Sequence, residues 1–183
     1  PLFLEGPIIH GFGRGSRLLG FPTANLDAEK YENGPIIHTL PVGVYDGFCT
    51  VFFPEATNLS AASSSDLPES QRESMREHCG TVFKMAMSIG YNPQFNNTLK
   101  TAEVHILHKF PCDFYGFYLR VIVLDFLRPM TSFKSLQELK DAIKGDVDKA
   151  TTALDLPEKK TWGDHPFLIN AHIPPVVLQV KTQ

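Results

Sequence analysis

Cysteine is scarce in this sequence. Cys49, Cys79 and Cys112 are the three present; they are widely spaced, and no two form a zinc-type pair. A disulfide scaffold and a structural zinc site are excluded on that pattern, and reduced thiols in a cytosol-like compartment are expected. Long hydrophobic runs are absent. None approaches the roughly 18 residues of a membrane-spanning helix, so no membrane partner is expected. A basic surplus is absent as well: 17 Lys and Arg stand against 20 Asp and Glu, a net charge of −3. General nucleic-acid binding needs the opposite balance, so no nucleic-acid partner is expected. There is no internal repeat. The chain begins at Pro1 and not at methionine, which leaves room for a targeting segment upstream; the expectation is a cytoplasmic monomer. What is there is 183 residues of which 43% are apolar. That suits one domain, which at this size buries roughly 70% of its unfolded surface and needs no staples.

Short alternating segments dominate the first two thirds. Residues 42–53, VGVYDGFCTVFF, are rich in β-branched and aromatic side chains. Residues 81–90 alternate Thr81, Phe83, Met85, Met87 and Ile89 against Val82, Lys84, Ala86 and Ser88. TAEVHIL at 101–107 alternates again, and FYLRVIVLDFLR at 117–128 is apolar on both faces. These read as period-2 strands separated by turn chemistry at 91–93, at Asn96-Asn97 and at 113–116. FLEGPIIHG near the start is a weaker sixth candidate if the segment around 36–42 is not one. Successive short strands without intervening helices predict an antiparallel barrel or sandwich and not a doubly wound sheet.

The period then changes. Leu136, Leu139, Ile143, Val147, Ala150 and Leu154 recur at helical spacing and form one apolar stripe. Ser135 with Glu138 makes a capping box, Gly145 is a mild defect, and Pro157 follows the end. The doubly apolar strand at 117–128 is the surface this helix is expected to cover. Two stretches stand apart. Residues 54–80 are serine-rich and then charged, and they read as a long mobile insertion in a hairpin with a short helix after Pro68. Residues 158–183, with Trp162 and IPPVVLQV, read as a C-terminal tail.

Three constellations could carry chemistry. GFGRGSRLLGFPTAN at 11–25 packs glycines among Arg14 and Arg17. Glycines allow close backbone approach and arginines supply charge, which a phosphoryl site needs. It is neither a Gly-Lys-Ser/Thr loop nor a dinucleotide fingerprint. Thr23 and Asn25 follow two residues apart and share a face in an extended segment. Their hydroxyl and carboxamide oxygens suit magnesium, although asparagine also closes turns. In the strand at 101–107, Ala102, Val104 and Ile106 face the core while Thr101, Glu103 and His105 face out. A carboxylate on a rigid strand is well placed as a general base, against the commoner solvated strand glutamate. His105 and His108 fall on opposite faces, which speaks against a Glu-His-His metal site. Lastly, PCDFYGFYLR and DFLRPMTSF interleave aromatics with Asp113, Arg120 and Arg128, which suits either a stacked heterocycle or, for Phe117 and Tyr118, packing.

Taken in order, GFGRGSRLLGFPTAN, VGVY, SIGYNPQFNN, AEVHILHKFPCDFYG, VLDFLRPMTSF and LKDAIKGD resemble the riboflavin kinase (flavokinase) family in its monofunctional eukaryotic form. The likeness runs from about residue 3 to residue 157. It implies a six-stranded Greek-key barrel with a C-terminal helix over residues 1–157. It implies transfer of the γ-phosphoryl group of ATP to the ribityl 5′-hydroxyl of riboflavin, giving FMN and ADP, with Mg²⁺ or in some members Zn²⁺. The family's catalytic glutamate falls on Glu103. Its glycine-rich flap falls on Gly11, Gly13, Gly15 and Arg17 over the nucleotide, and its Pro-Thr-Ala-Asn motif puts Thr23 and Asn25 on metal and phosphate. The flavin loops would supply Asp113, Tyr115, Arg128, Thr131 and Phe133. The insertion at 54–80 and the stretch beyond residue 158 depart from the family pattern. No His-x-Gly-His motif of an adenylyltransferase is present, so the product expected is FMN and not FAD. The alternatives are a related kinase for another nucleotide, a non-catalytic flavin- or nucleotide-binding β-barrel, and an oligonucleotide-binding barrel, against which the acidic balance weighs.

Overall fold

The structure, a computed structural model, describes residues 1–10, 20–26, 33–53, 68–91 and 100–170. Six strands form: β1 (Leu2–Ile9), β2 (Ala24–Leu26), β3 (Gly43–Phe52), β4 (Val82–Tyr91), β5 (Lys100–Ile106) and β6 (Tyr118–Pro129); all but the three-residue β2 fall on segments read as strands from the sequence. The weak candidate at the N-terminus is β1, and the competing segment is instead helical, α1 (Asn33–Thr39). All pairings are antiparallel, and the sheet closes in the order β1-β2-β5-β4-β3-β6. Closure leaves no unpaired sheet edge.

Alternation in each strand decides what fills the barrel. Leu4, Ile8, Ala24, Leu26, Cys49, Val51, Met85, Met87, Ile89, Ala102, Val104, Ile106, Leu119, Val121 and Val123 form one buried cluster. Burial raises the Cys49 thiol far above its ordinary value, so it is an inert core residue. Ile37 of α1 and Met75 of α2 (Glu69–Met75) are fully buried in the same cluster. The Lys100 ammonium donates to the carbonyls of His38 and Leu40 at 2.9 and 2.6 Å and so ties the end of α1 to β5. At Gly47 an added Cβ would lie 1.9 Å from the Ile122 carbonyl oxygen, so glycine is required where β3 meets β6. Register shifts at 44/45 and 45/47 bend β3 against β6 there and set Arg128 opposite Val44.

A second core lies outside the barrel. Helix α3 (Leu136–Leu154) lays Ala150 and Leu154 on Phe48, Ala86 and Ile122. It therefore covers β3 and β4 as well as β6, wider ground than the single strand predicted. Its stripe is buried only in the C-terminal half, and Leu136 is 70% exposed, because the second core ends before the first turns of α3. The Ser135 half of the capping box forms as expected, and the return bond from Glu138 reaches one residue before the N-cap. The Glu138 N–H donates to Ser135 Oγ at 3.1 Å, and the Glu138 carboxylate accepts from the Lys134 N–H at 2.8 Å.

The two stretches set apart by sequence are in part integral to the fold. The helix expected after Pro68 is α2, while residues 54–67 lie outside the described residues. Buried Met75 makes the end of the insertion part of the core. Beyond α3, α4 (Pro157–Lys160), a 3-10 turn (Thr161–Asp164) and α5 (Pro166–Ile169) pack back on the barrel and bury Phe167 and Leu168 in the second core. Beneath them sits a buried ion pair, Arg120 to Glu5 at 2.9 Å, whose guanidinium also donates to the Phe167 carbonyl at 3.3 Å. The stretch to Asn170 is thus continuous with the barrel, and residues 171–183 lie outside the described residues. Among the described residues no helix is long and apolar enough to cross a membrane.

Candidate active site

Strand register assembles the site. Asn25 pairs with Glu103, Glu103 with Ser88, Ser88 with Val44, and Val44 with Arg128. The inward positions on either side of Asn25 and Glu103 are taken by Ala24, Leu26, Ala102 and Val104, so this row lies on the outer wall. Neighbouring strands are about 4.8 Å apart, so Asn25 and Glu103 are adjacent and Arg128 lies about 14 Å further along the wall.

The β2 end of the row is the most constrained. Asn25 is 8% exposed, and its Oδ1 is buried with no hydrogen-bond partner. An orphaned acceptor of this kind costs free energy unless something binds it. Two residues before it on the same face stands half-buried Thr23. The carbonyl of Pro22 accepts a hydrogen bond from His105 Nδ1 at 2.8 Å. That bond fixes the tautomer, with the proton on Nδ1 and Nε2 left as an acceptor. Burial lowers the His105 pKa below its ordinary 6.5, only partly offset by the Pro22 bond, so the ring is neutral at physiological pH. Phe21 meets it edge-on at 5.5 Å. His105 and Glu103 share the outer face of β5, so the segment carrying Thr23 and Asn25 is pinned to the strand that carries Glu103.

Beside this end opens a cavity of about 770 Å³. Gly20 to Ala24 form one wall, the segment after β5 another, and Val147 and Thr151 of α3 a third. Phe21, Phe110 and Phe114 make it largely apolar, with Thr23 and His105 among its polar groups. Ile8 and Gly20, which flank the glycine-rich stretch in the chain, both line it, and Gly20 adopts φ +87°, a conformation that favours glycine. Gly11, Gly13, Gly15 and Arg17 lie outside the described residues.

The five residues assigned to flavin divide between the two ends. Asp113 and Tyr115 line the cavity with Thr23, and Tyr115 stacks on His10 with ring centroids 3.7 Å apart. Arg128, Thr131 and Phe133 lie at the other end. There Arg128 makes two 2.7 Å hydrogen bonds to the buried carboxylate of Asp146 on α3, and its guanidinium lies 5.8 Å from the Phe133 ring centroid. Thr131 is exposed. Around them the surface is unusually apolar: Phe126 and Met130 are each 46% exposed, and Leu136 more so. Three residues of the site were not read from sequence. His105 was weighed only as a metal ligand, although its position two residues from Glu103 was the available signal. Asp146 resembles any polar helix residue, and Ser88 acquires its place only from register.

The donor set fits a hard cation. Thr23 and Asn25 offer neutral oxygens, one of them an unpartnered buried acceptor, and magnesium takes a few such protein oxygens together with substrate phosphates. Among the described residues no group of three or more His, Cys, Asp or Glu side chains could hold a metal ion.

Comparison with known proteins bears on what the arrangement does. The Flavokinase (riboflavin kinase) family profile matches residues 1–154. A riboflavin kinase of Pyricularia oryzae is 43% identical over 88% of this chain and 74% of its own length. A riboflavin kinase of Homo sapiens is 38% identical, covering 86% of this chain and 84% of its own. Among solved structures, riboflavin kinase from Trypanosoma brucei superposes with a TM-score of 0.60 at 30% identity, covering 90% of this chain and 86% of that one.

Proposed function

The chain belongs to the riboflavin kinase family, and from that membership we propose how its residues divide the work of phosphorylating riboflavin with ATP to give FMN and ADP. The observation that carries the division is the outer row itself. It places Glu103 between a walled cavity on one side and exposed apolar surface beside Arg128 on the other.

ATP occupies the cavity, with its base among the aromatic walls and its phosphates toward Thr23 and Asn25. Gly11, Gly13, Gly15 and Arg17 of the glycine-rich stretch serve the binding of those phosphates in this reading. Asp113 and Tyr115, which line the cavity, serve the nucleotide side in this reading. The Thr23 hydroxyl and the Asn25 carboxamide would hold Mg²⁺, which would supply neutralisation of the phosphate charge. The flavin ring lies on the apolar surface around Phe126 and Met130, against Arg128, Thr131 and Phe133. Arg128 is held rigid there by its bidentate pair with Asp146.

From that end the ribityl chain follows the wall toward Glu103. The Glu103 carboxylate orients the 5′-hydroxyl and accepts its proton as the oxygen attacks the γ-phosphorus in line, with the bond to the β-phosphate oxygen breaking. Phosphoryl transfer asks mainly for positioning and charge neutralisation, so the base contributes a part of the acceleration and not all of it. His105 holds Pro22, and with it the Thr23–Asn25 oxygens, in register with that carboxylate.

The test is chromatographic assay of FMN from riboflavin, ATP and Mg²⁺ for the wild type and for Glu103→Gln. The expected drop in kcat is about a hundredfold or more, within the 10²–10⁴ range of a general base. FMN formation at similar rates by both proteins would remove Glu103 from that role.

A further inference from the structure

The insertion between β3 and β4 has no part in the reaction as described, yet its helix touches the wall of the cavity. We propose that α2 is a brace for the nucleotide cavity, with Gln71 and His78 as positioning residues that hold segment 108–114 in place. This rests on the assignment of the cavity to ATP.

Segment 108–114 is held through its side chains, with Phe110, Cys112 and Phe114 packed against the barrel core. Among the described residues, 109–113 make no backbone-to-backbone hydrogen bond. Yet His108, Phe110 and Asp113 all line the cavity. Side chains from the insertion meet this segment at three places. Gln71 Nε2 donates to the Asp113 carbonyl. The His78 ring lies 5.0 Å from that of His108 and 5.4 Å, edge-on, from that of Phe110. Phe83 of β4 completes the cluster, stacked on His108 at 4.5 Å and edge-on to Phe110 at 5.4 Å.

The brace is itself anchored. Met75 at the end of α2 is fully buried in the barrel core, and the Gly80 N–H donates to the Val51 carbonyl at 2.8 Å. Gln71 and His78 do not line the cavity. They touch its wall from behind, so their effect on a ligand passes through Phe110 and Asp113. A wall segment with no backbone ladder depends on its side-chain contacts for its position, and fixing it in advance lowers the entropic cost that a ligand must otherwise meet. Losing the brace should therefore weaken the ligand held by that wall and leave the chemical step alone.

The experiment is steady-state kinetics on the full chain with ATP and riboflavin varied separately, together with a thermal melt, for Gln71→Ala, His78→Ala and the double variant. A single lost hydrogen bond of this kind should raise the KM for ATP about two- to tenfold, and the double variant should raise it further. The kcat and the KM for riboflavin should stay within about twofold. Gln71→Glu, which keeps the length and loses the donor, should behave like Gln71→Ala, and Gln71→Lys, which restores a donor, should recover ATP affinity. Gln71 is only partly buried, so its single variants test the idea even if the double variant fails to fold. An unchanged KM for ATP in folded Gln71→Ala and Gln71→Glu overturns the brace. A raised KM for riboflavin with ATP unaffected overturns the assignment of the cavity, and with it the proposal as stated.

Discussion

Replacing Asn25 by leucine should separate what this residue does for binding from what it does for folding. In the free protein its Oδ1 is buried without a partner. An unsatisfied buried acceptor costs about 1–3 kcal/mol, and an apolar group of similar shape removes that cost. The backbone pairing of β2 with β1 and β5 does not involve the side chain. Asn25→Leu should therefore leave the free protein as stable as the wild type or more stable, by about 1–2 kcal/mol, which in a domain of this size raises Tm by roughly 2–8 °C. Mg-ATP should act in the opposite sense. At a hundred times its Kd a ligand stabilises the folded state by about 2.7 kcal/mol, and the variant should lose most of that shift. Paired thermal melts with and without Mg-ATP, read beside kcat/KM for ATP, provide the assay. A variant less stable by more than about 1 kcal/mol that keeps the Mg-ATP shift would refute the reasoning. It would make the carboxamide a structural group, as asparagine often is near turns.

Other outcomes follow from the same geometry. The neutral His105 should make stability fall in mild acid. Its folded pKa lies below the unfolded 6.5, so the unfolded chain takes up the proton first. The stabilisation is intact above about pH 6.5 and is lost as pH falls through the window beneath it. His105→Asn, which keeps a donor and does not titrate, should flatten that part of a Tm-against-pH curve; an unchanged curve would clear His105 of the effect. Arg128→Ala leaves the buried Asp146 carboxylate without its bidentate partner and should cost about 3 kcal/mol by urea titration. It should also raise the KM for riboflavin more than that for ATP, whereas an equal rise in both would place the flavin elsewhere.

How much of this could be read in advance follows from the range of each interaction. The outward aim of Glu103 was legible, because a strand alternates with period 2 and its inward neighbours Ala102, Val104 and Ile106 are apolar. The cap of α3 was legible because Ser135 and Glu138 are three residues apart. The helical stripe was legible as a stripe, but not how much of it would be covered, since that depends on where Phe48, Ala86 and Ile122 end. The insertion was read as an addition because its composition is serine-rich and then charged, and the C-terminal stretch because it departs from the family pattern. Single side chains tie them in: Met75 reaches the core, and Lys159 pairs with the fully buried Asp46 at 3.3 Å. Burial raises the Asp46 pKa, with the Lys159 charge opposing, and nothing in the local sequence of either residue announces the pair.

Sequence alone therefore determined the parts: which residues face inward, where the helix begins, and which oxygens and carboxylates are available for phosphoryl chemistry. Only the tertiary structure decided their neighbours. Asn25, Glu103 and Arg128 belong to strands far apart in the chain, and barrel closure with its particular register sets them in one row. Periodicity is a property of a few consecutive peptide units, and register is a property of the whole closed sheet. That difference in range is why the outward aim of Glu103 was visible from its own strand, and why the cavity beside it, and the contacts that α2 makes with the wall of that cavity, were not.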